Sequence, residues 1–290
     1  MLADVVATST AVAATRSRKA KTVALAERLS AAAPEELEIV TSYLAGSLLQ
    51  RRTGLGWRSL ANLPEPAGAA TLTVTEVHEA FGRIAALTGA GSASARADAV
   101  ADLFGSATAE EQAWLRGVVT GEVRQGALDS LVQEALAAAA EVPLAAVRRA
   151  AMLSGSTVAV ASRAFAGEAA LAEVGLEVGR PVLPMLASSA PTVTEALGKA
   201  GGAVAVDAKL DGIRIQVHRD GDRVVVATRT LDDITHRLPE VAELALSLPA
   251  QRLVLDGEAI SIGEDGRPRP FQETASRTAT ASGTRVSAYF

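Results

Sequence analysis

The spacing of apolar residues changes near residue 200, and this change limits the folds that the chain can adopt. Up to about residue 170, apolar residues recur every three or four positions, which is typical of amphipathic helices. From residue 202 onward, the period becomes two in short runs rich in β-branched residues, which predicts strands. We therefore expect an α+β multidomain protein in which an all-helical N-terminal region precedes an antiparallel, β-rich region.

Five segments of the N-terminal region show the helical spacing most clearly. Two of them begin with suitable residues, because Thr108 can cap a helix and Pro34 suits a first turn that also carries acids. The predicted helices are 20–29, 34–49, 93–104, 109–119 and 128–140.

The C-terminal region divides into a linker and a β-rich part. Pro181, Pro184 and Pro191 predict a linker, whereas the Asp-Gly pairs at 220–221 and 265–266 predict hairpin turns. The predicted strands are 203–206, 213–218, 224–228 and 253–262, with one helix at 239–247. The predicted domains are 1–178 (helical), 179–200 (linker) and 201–290 (β-rich).

The composition excludes several kinds of site. The chain has no Cys and only three scattered His residues, which excludes disulfides and thiolate zinc sites and disfavours a His-based metal centre. No segment approaches the ~20 apolar residues of a membrane span, and the N-terminus lacks a basic n-region, so a cytoplasmic protein is expected. A net charge of −5 weakly disfavours nucleic-acid binding, although phosphate contacts depend on local clusters.

Lysine is rare in this chain. Only four of the 28 basic residues are Lys, and Lys209 is the only one after residue 199. An amine can act as a nucleophile, whereas a guanidinium effectively cannot. This distribution singles out Lys209, although a bias in codon usage would explain the same count.

Lys209 lies in an unusual run of charged residues from 207 to 214. Strand alternation would place Asp207, Lys209 and Asp211 on one face, where burial is costly unless the charges are paired or used. Gly212 permits a bend, and Arg214 supplies a fixed positive charge nearby. The alternative is a surface strand that ends in an Asp-Gly turn with a salt bridge.

Two further groups make a functional site more plausible. Arg229 follows a predicted strand and precedes the acids Asp232 and Asp233. Asp256 and Glu258 lie inside a strand that is otherwise apolar, where their burial would need compensation. Such polar groups within a strand are more often functional than decorative.

These three groups resemble, in order, motifs I, Ia and III of the ATP-dependent DNA ligases. The motif I pattern Lys-x-Asp-Gly-x-Arg at 209–214 is shared with RNA ligases and mRNA capping enzymes, whereas Thr228-Arg229 and 256–258 resemble ligase motifs Ia and III. Segments 15–18, 121–126, 147–153 and 180–187 resemble parts of the helical DNA-binding domain and the start of the adenylation domain. The resemblance covers nearly the whole chain and implies an ATP-grasp-like nucleotidyltransferase domain after the helical one.

The resemblance implies a reaction with ATP and Mg²⁺. Lys209 would attack the α-phosphate of ATP, and the AMP would pass to the 5′-phosphate of a nick before the 3′-hydroxyl displaces it. Arg214 and Arg229 would hold phosphates or ribose, and Glu258 would contact the ribose or the metal. Asp207 occupies the place of a Glu that accepts from the adenine amino group, and its side chain is shorter than that of Glu by one methylene.

The implied partner is nicked duplex DNA, bound by a monomer without any membrane association. The family's helical domain grips DNA through basic side chains, helix N-termini and backbone amides. For each basic candidate the alternative is a solvated helix face. The DNA-binding candidates are Arg16, Arg18, Arg124 and Arg148, with Lys19, Arg51, Arg52 and Arg149 as further ones.

The sequence lacks the later parts of the family pattern. Tyr289-Phe290 looks like the start of motif IIIa, whereas motifs IV, V and VI and the OB-fold are absent. We therefore expect an incomplete adenylation domain of marginal stability that cannot complete a ligation. The alternatives are a non-catalytic module that binds nicked DNA and another lysyl-nucleotidyl transferase such as an RNA ligase, which the ~170-residue helical region disfavours.

Overall fold

The protein forms two compact units. The computed structural model describes residues 1–290 except 124, 127, 128, 186, 208, 264 and 281–285, and it omits the side chains of 278–280. The first unit comprises Met1–Ala151 and Ser156–Val174, and the second comprises Met152–Gly155 and Gly175–Phe290.

The first unit is helical. Short 3-10 turns lie at Pro34–Glu36, Trp57–Leu60 and Val158–Val160. Its helices are α1 (Leu2–Ala14), α2 (Arg18–Ser30), α3 (Leu37–Leu44), α4 (Val74–Ala86), α5 (Ser92–Gly105), α6 (Ala109–Thr120), α7 (Asp129–Ala139), α8 (Leu144–Ser154, of which 152–154 belong to the second unit), α9 (Ala161–Phe165) and α10 (Glu168–Ala172).

Local residues explain where α6 begins and where α3 ends. The predicted cap at Thr108 is confirmed, because its hydroxyl accepts from the backbone N–H of Glu111, whose carboxylate accepts from the N–H of Thr108 at 2.9 Å. The predicted helices at 20–29, 93–104 and 109–119 are confirmed by α2, α5 and α6, and α7 confirms the part of 128–140 that is described. The predicted helix 34–49 is wrong beyond Leu44, because Gly46 adopts a left-handed φ of 76° that ends the helix.

The second unit contains a four-stranded antiparallel sheet in the order β2-β1-β3-β4. The strands are β1 (Ile213–Asp220), β2 (Arg223–Thr228), β3 (Arg252–Ser261) and β4 (Val286–Tyr289). The helices are α11 (Val193–Ala200), α12 (Pro239–Ser247) and α13 (Phe271–Thr280). Ile215, Val217 and Val226 pack with Val241 and Ala245 of α12 to form the core beneath the sheet.

Most of the predicted β-rich region is confirmed, together with the α+β fold class. The runs 213–218, 224–228 and 253–262 form β1, β2 and β3, and the predicted helix 239–247 is α12. Gly221 has a φ of 61° in the β1–β2 hairpin and Gly266 a φ of 73° in its turn, so both predicted turns are also confirmed.

The predicted strand at 203–206 is wrong. These residues form no strand, and Val206 is 88% exposed. Its β-branched pattern is suitable, but a strand also needs a neighbour to satisfy its backbone groups, and no described strand pairs with it. The predicted linker 179–200 also contains α11, a helix without a buried residue.

No helix in the described part of the chain combines the length and apolar character needed to cross a bilayer.

Candidate active site

The sheet of the second unit has two chemically different faces. Ile213, Ile215 and Val217 of β1 point into the core, so the alternate residues Arg214 and Gln216 point to the opposite face. Paired residues on neighbouring antiparallel strands share a face. We call this second face the cleft face; its residues include Arg214, Gln216, His218, Asp256, Glu258 and Tyr289.

A cleft of about 750 Å³ opens at one end of the cleft face. It brings together all three groups that the sequence singled out, although they are up to 49 residues apart from Lys209 to Glu258. Its polar and aromatic lining residues are Asp207, Lys209, Asp211, Arg214, Thr228, Arg229, Thr230, Asp256, Glu258, Phe271, Tyr289 and Phe290. No motif pointed to Phe271, which is notable in the sequence only as one of five Phe residues.

The Lys209 side chain projects into this cleft from a segment without regular secondary structure. It is 84% exposed, and its Nζ lies 3.3 Å from Oδ1 of Asp211, which is also exposed. Solvent reaches both charged groups, so neither incurs the cost that burial on a strand face would impose. An ion pair this exposed contributes little stability, so the ε-amine remains accessible to a ligand.

Gly212 allows this segment to approach β3 closely. Its backbone N–H donates to Oε1 of Glu258 at 3.0 Å. A Cβ at this position would overlap the backbone oxygen of Ala259 and lie 2.8 Å from Cγ1 of Ile260. The sequence suggested a bend at Gly212, but the observed requirement is for space, and the contact ties the Lys209 segment to Glu258.

Arg214, which the sequence suggested as a fixed positive charge near Lys209, is paired with an acid. Its Nε and Nη2 donate to the two carboxylate oxygens of Asp256 at 3.0 and 2.7 Å, and its Nη1 donates to the Met185 carbonyl at 3.1 Å. The hydrogen bond to Asp256 raises the pKa of Arg214, with a smaller opposing effect of burial. Asp256 is exposed, so this strand position did not need the compensation that we expected for a buried acid.

A compact turn presents Arg229 at the end of β2. The Thr228 hydroxyl accepts from the backbone N–H of Asp232 at 3.2 Å, and Leu231 adopts a left-handed φ of 64°. Asp233 accepts from the N–H and the hydroxyl of Thr235 at 2.9 and 2.6 Å, which lowers the pKa of Asp233. These acids therefore build the turn that follows Arg229.

Glu258, the predicted metal ligand, lies in the lining of the open cleft. Within the described residues, there is no cluster of three or more Asp, Glu or His side chains that could hold a cation. Magnesium commonly uses one or two carboxylates together with substrate phosphates and water. Glu258 in an open cleft fits that kind of site, in which a nucleotide completes the coordination.

Two of the DNA-binding candidates, Arg18 and Arg148, share an acidic partner in the first unit. Arg18 donates twice to Glu134 at 3.0 and 2.7 Å, and Arg148 lies 3.4 Å from the same carboxylate. The hydrogen bond from Arg18 lowers the pKa of Glu134. Arg16 is exposed between α1 and α2, and Arg124 lies outside the described residues.

Two family models match the chain. The model described as "DNA ligase N terminus" matches residues 58–137, and the model described as "ATP dependent DNA ligase domain" matches residues 184–288. The second match contains Lys209, Arg229 and Glu258, all of which line the cleft.

Curated relatives extend the match to the whole chain. A "Probable DNA ligase" from Nocardioides sp. is 70% identical over 296 residues, which cover 100% of this chain and 58% of the relative. A "Probable DNA ligase" from Kineococcus radiotolerans is 62% identical over 294 residues, again covering 100% of this chain and 58% of the relative. The chain therefore spans about 58% of the length of these relatives.

A solved structure supports the fold. The structure titled "Pmar-Lig_PreS3" matches with a TM-score of 0.53 and 16% identity, covering 94% of this chain and 52% of that chain. At this identity, the likeness concerns the fold alone. The two family models and the highly similar relatives carry the assignment: the chain belongs to the ATP-dependent DNA ligase family.

Proposed function

We propose that this chain carries the nucleotide-transfer site of an ATP-dependent DNA ligase and that Lys209 is its nucleophile. The observation that carries the proposal is the exposed ε-amine of Lys209 in a cleft that Arg229 and Glu258 also line. The cleft volume of about 750 Å³ lies within the range of small-molecule sites.

The reaction proposed for Lys209 is attack on the α-phosphorus of ATP. A bond forms between Nζ and phosphorus, the bond to the pyrophosphate oxygen breaks, and the proton released from Nζ passes to the solvent that reaches this side chain. The products are a lysyl-AMP phosphoramidate and pyrophosphate. The Asp211 carboxylate, 3.3 Å from Nζ, is placed to orient the amine. Bound Mg²⁺ would supply charge neutralisation for the phosphates, with Glu258 as its protein ligand.

The other residues of the cleft have complementary roles in this proposal. Arg214 and Arg229 bind phosphate or ribose oxygens, for which the planar guanidinium provides several donors. Asp207 faces the adenine amino group. The aromatic side chains of Phe271 and Tyr289 line the same cleft and offer flat apolar surfaces to a base.

For the whole protein we propose nick sealing by a cytoplasmic monomer with a helical DNA-binding domain at 1–178, a linker at 179–200 and a partial adenylation domain at 201–290. The AMP passes from Lys209 to the 5′-phosphate of a nick, and the 3′-hydroxyl then displaces it. Arg16, Arg18, Arg124 and Arg148 contact the DNA backbone. The matched family models and the DNA ligase names of the relatives support this proposal.

The intact mass of the purified chain after incubation with ATP and Mg²⁺ tests the first step. We expect the mass to increase by one AMP, and we expect Lys209→Arg to abolish the increase because a guanidinium is not nucleophilic. Lys199→Arg, at an exposed position of α11, is the matched control and should retain the increase. An unmodified, folded wild-type chain would refute adenylation by this chain and leave DNA binding as its activity.

A further inference from the structure

The cleft face is covered at one end by residues 179–185. The Val182 N–H donates to Oε1 of Gln216 at 2.9 Å, and Nε2 of Gln216 donates back to the Val182 carbonyl at 2.6 Å. The Gly179 N–H donates to Nδ1 of His218 at 3.1 Å. Alternate side chains of β1 thus bind backbone groups spaced three residues apart, and Arg214 continues the series at Met185.

The position of β1 in the sheet explains why side chains make these contacts. Both edges of β1 are already paired, with β2 and with β3, so its backbone cannot bind a further strand. Gln216 and His218 are 5% and 1% exposed, respectively. A buried amide is costly when it lacks partners, and both polar ends of Gln216 are satisfied by one residue, Val182. This two-point contact fixes the register of the segment.

The end of the same segment determines the environment of Arg214. The Met185 carbonyl takes one N–H of Nη1, while Asp256 takes Nε and one N–H of Nη2. A guanidinium has five N–H groups, so these described bonds leave one on each terminal nitrogen. The two remaining groups are available to oxygens of a ligand in the cleft.

We propose that Gln216 and His218 are positioning residues that fix segment 179–185 so that the Met185 carbonyl and Asp256 together hold Arg214 in the cleft. The functional part of this inference rests on the proposed function, in which Arg214 binds the nucleotide. Neither Gln216 nor His218 lines the cleft, so both act through Arg214.

The test uses Gln216→Met, which keeps the length of the side chain and removes both hydrogen bonds to Val182. His218→Phe is the second variant, because it keeps a ring and removes the acceptor for Gly179. Gln272→Met, at an exposed position of α13, is the matched control. Backbone amide exchange at Val182 and exchange of the Arg214 Nε–H with water report the positioning without depending on activity.

We expect Gln216→Met to accelerate both exchange processes. It should also reduce the rate of lysyl-AMP formation at limiting ATP on the order of tenfold, which corresponds to the loss of one hydrogen bond from Arg214 to the nucleotide. In an Arg214→Ala background, the same substitution should cause less than about a twofold further loss, since Gln216 then has nothing to position. Unchanged exchange of the Arg214 Nε–H would overturn the positioning role, as would additive losses in the double variant. If the wild-type chain forms no adenylate, the proposed function fails, whereas the exchange data still decide whether Gln216 immobilises Arg214.

Discussion

Replacing Gly212 by Ala should displace the segment that carries Lys209 and leave the stability of the sheet nearly unchanged. A Cβ at Gly212 would overlap the Ala259 carbonyl oxygen and lie 2.8 Å from Cγ1 of Ile260, whereas ordinary contact begins at about 3.4 Å. The Ala259 oxygen belongs to the backbone of β3, which is paired with β1 at this position, so it cannot move alone. The segment must therefore leave β3, and the 3.0 Å hydrogen bond from Gly212 to Glu258 is lost with it.

The size of the expected loss in reaction rate follows from the hydrogen bond between Gly212 and Glu258. A bond to a charged acceptor contributes about 1.5–3 kcal/mol, and forcing the extra methyl group into place instead would cost about 1–3 kcal/mol. If the bond positions Lys209 for attack, its loss lowers the rate of lysyl-AMP formation by about ten- to a hundredfold. The melting temperature should change little, because residues 203–207 and 209–211 are exposed and contribute nothing to the described core of the second unit.

The assay is the rate of AMP incorporation measured together with thermal unfolding. Gly198→Ala is the control, since nothing lies within 4 Å of a Cβ at this position of α11. This control should keep the wild-type rate and, through helix propensity, gain up to about 1 kcal/mol of local stability. A Gly212→Ala variant that incorporates AMP at the wild-type rate would refute the argument that this close approach positions Lys209.

Three further predictions concern stability, pH and DNA. Arg219 is 4% exposed and donates to the carbonyls of Gly221, Ala245, Leu248 and Ala250. Arg219→Met should therefore destabilise the second unit by about 3–5 kcal/mol, measured by urea unfolding, and a loss below about 1 kcal/mol would contradict this. Burial lowers the pKa of His218 below 6.5 in the folded protein. This group therefore contributes stability that is present above pH 6.5 and is lost as the pH falls toward the pKa of the folded state. His218→Phe should remove that part of the pH dependence of the free energy of unfolding. Glu134→Gln should release Arg18 and Arg148 from their shared acidic partner. The affinity for nicked duplex DNA, measured by fluorescence anisotropy, should then increase and depend more steeply on salt concentration. An unchanged salt dependence would argue against DNA contacts by these two arginines.

Local chemistry explains which parts of the fold were predictable. The strands β1, β2 and β3 follow from alternation and from turns such as Asp220-Gly221, which depend on a few adjacent residues. The run 203–206 has the same local pattern and forms no strand, because strand formation also requires a partner that the pattern does not specify. The end of α3 at Leu44 depends on the left-handed backbone of Gly46, which is a weak signal within an apolar run.

The residues of the candidate site were predictable from the sequence, whereas most of the contacts between them were not. Lys209, Arg229 and Glu258 were identifiable from their motifs, and strand pairing then brings the three segments around one cleft. The pairing of Arg214 with Asp256 was not predictable, because the sequence does not show that Asp256, 42 residues later, lies beside it. The roles of Gln216 and His218 have no motif, since both depend on a segment more than 30 residues earlier that folds onto β1.

The most direct test of the central claim is to locate the AMP at the level of single residues. The chain is incubated with ATP and Mg²⁺, digested under conditions that preserve the acid-labile N–P bond, and mapped by tandem mass spectrometry. We predict AMP on Lys209 and unmodified peptides at Lys19, Lys21 and Lys199. AMP on any other residue, or a folded chain without AMP, would contradict the assignment of Lys209 as the nucleophile.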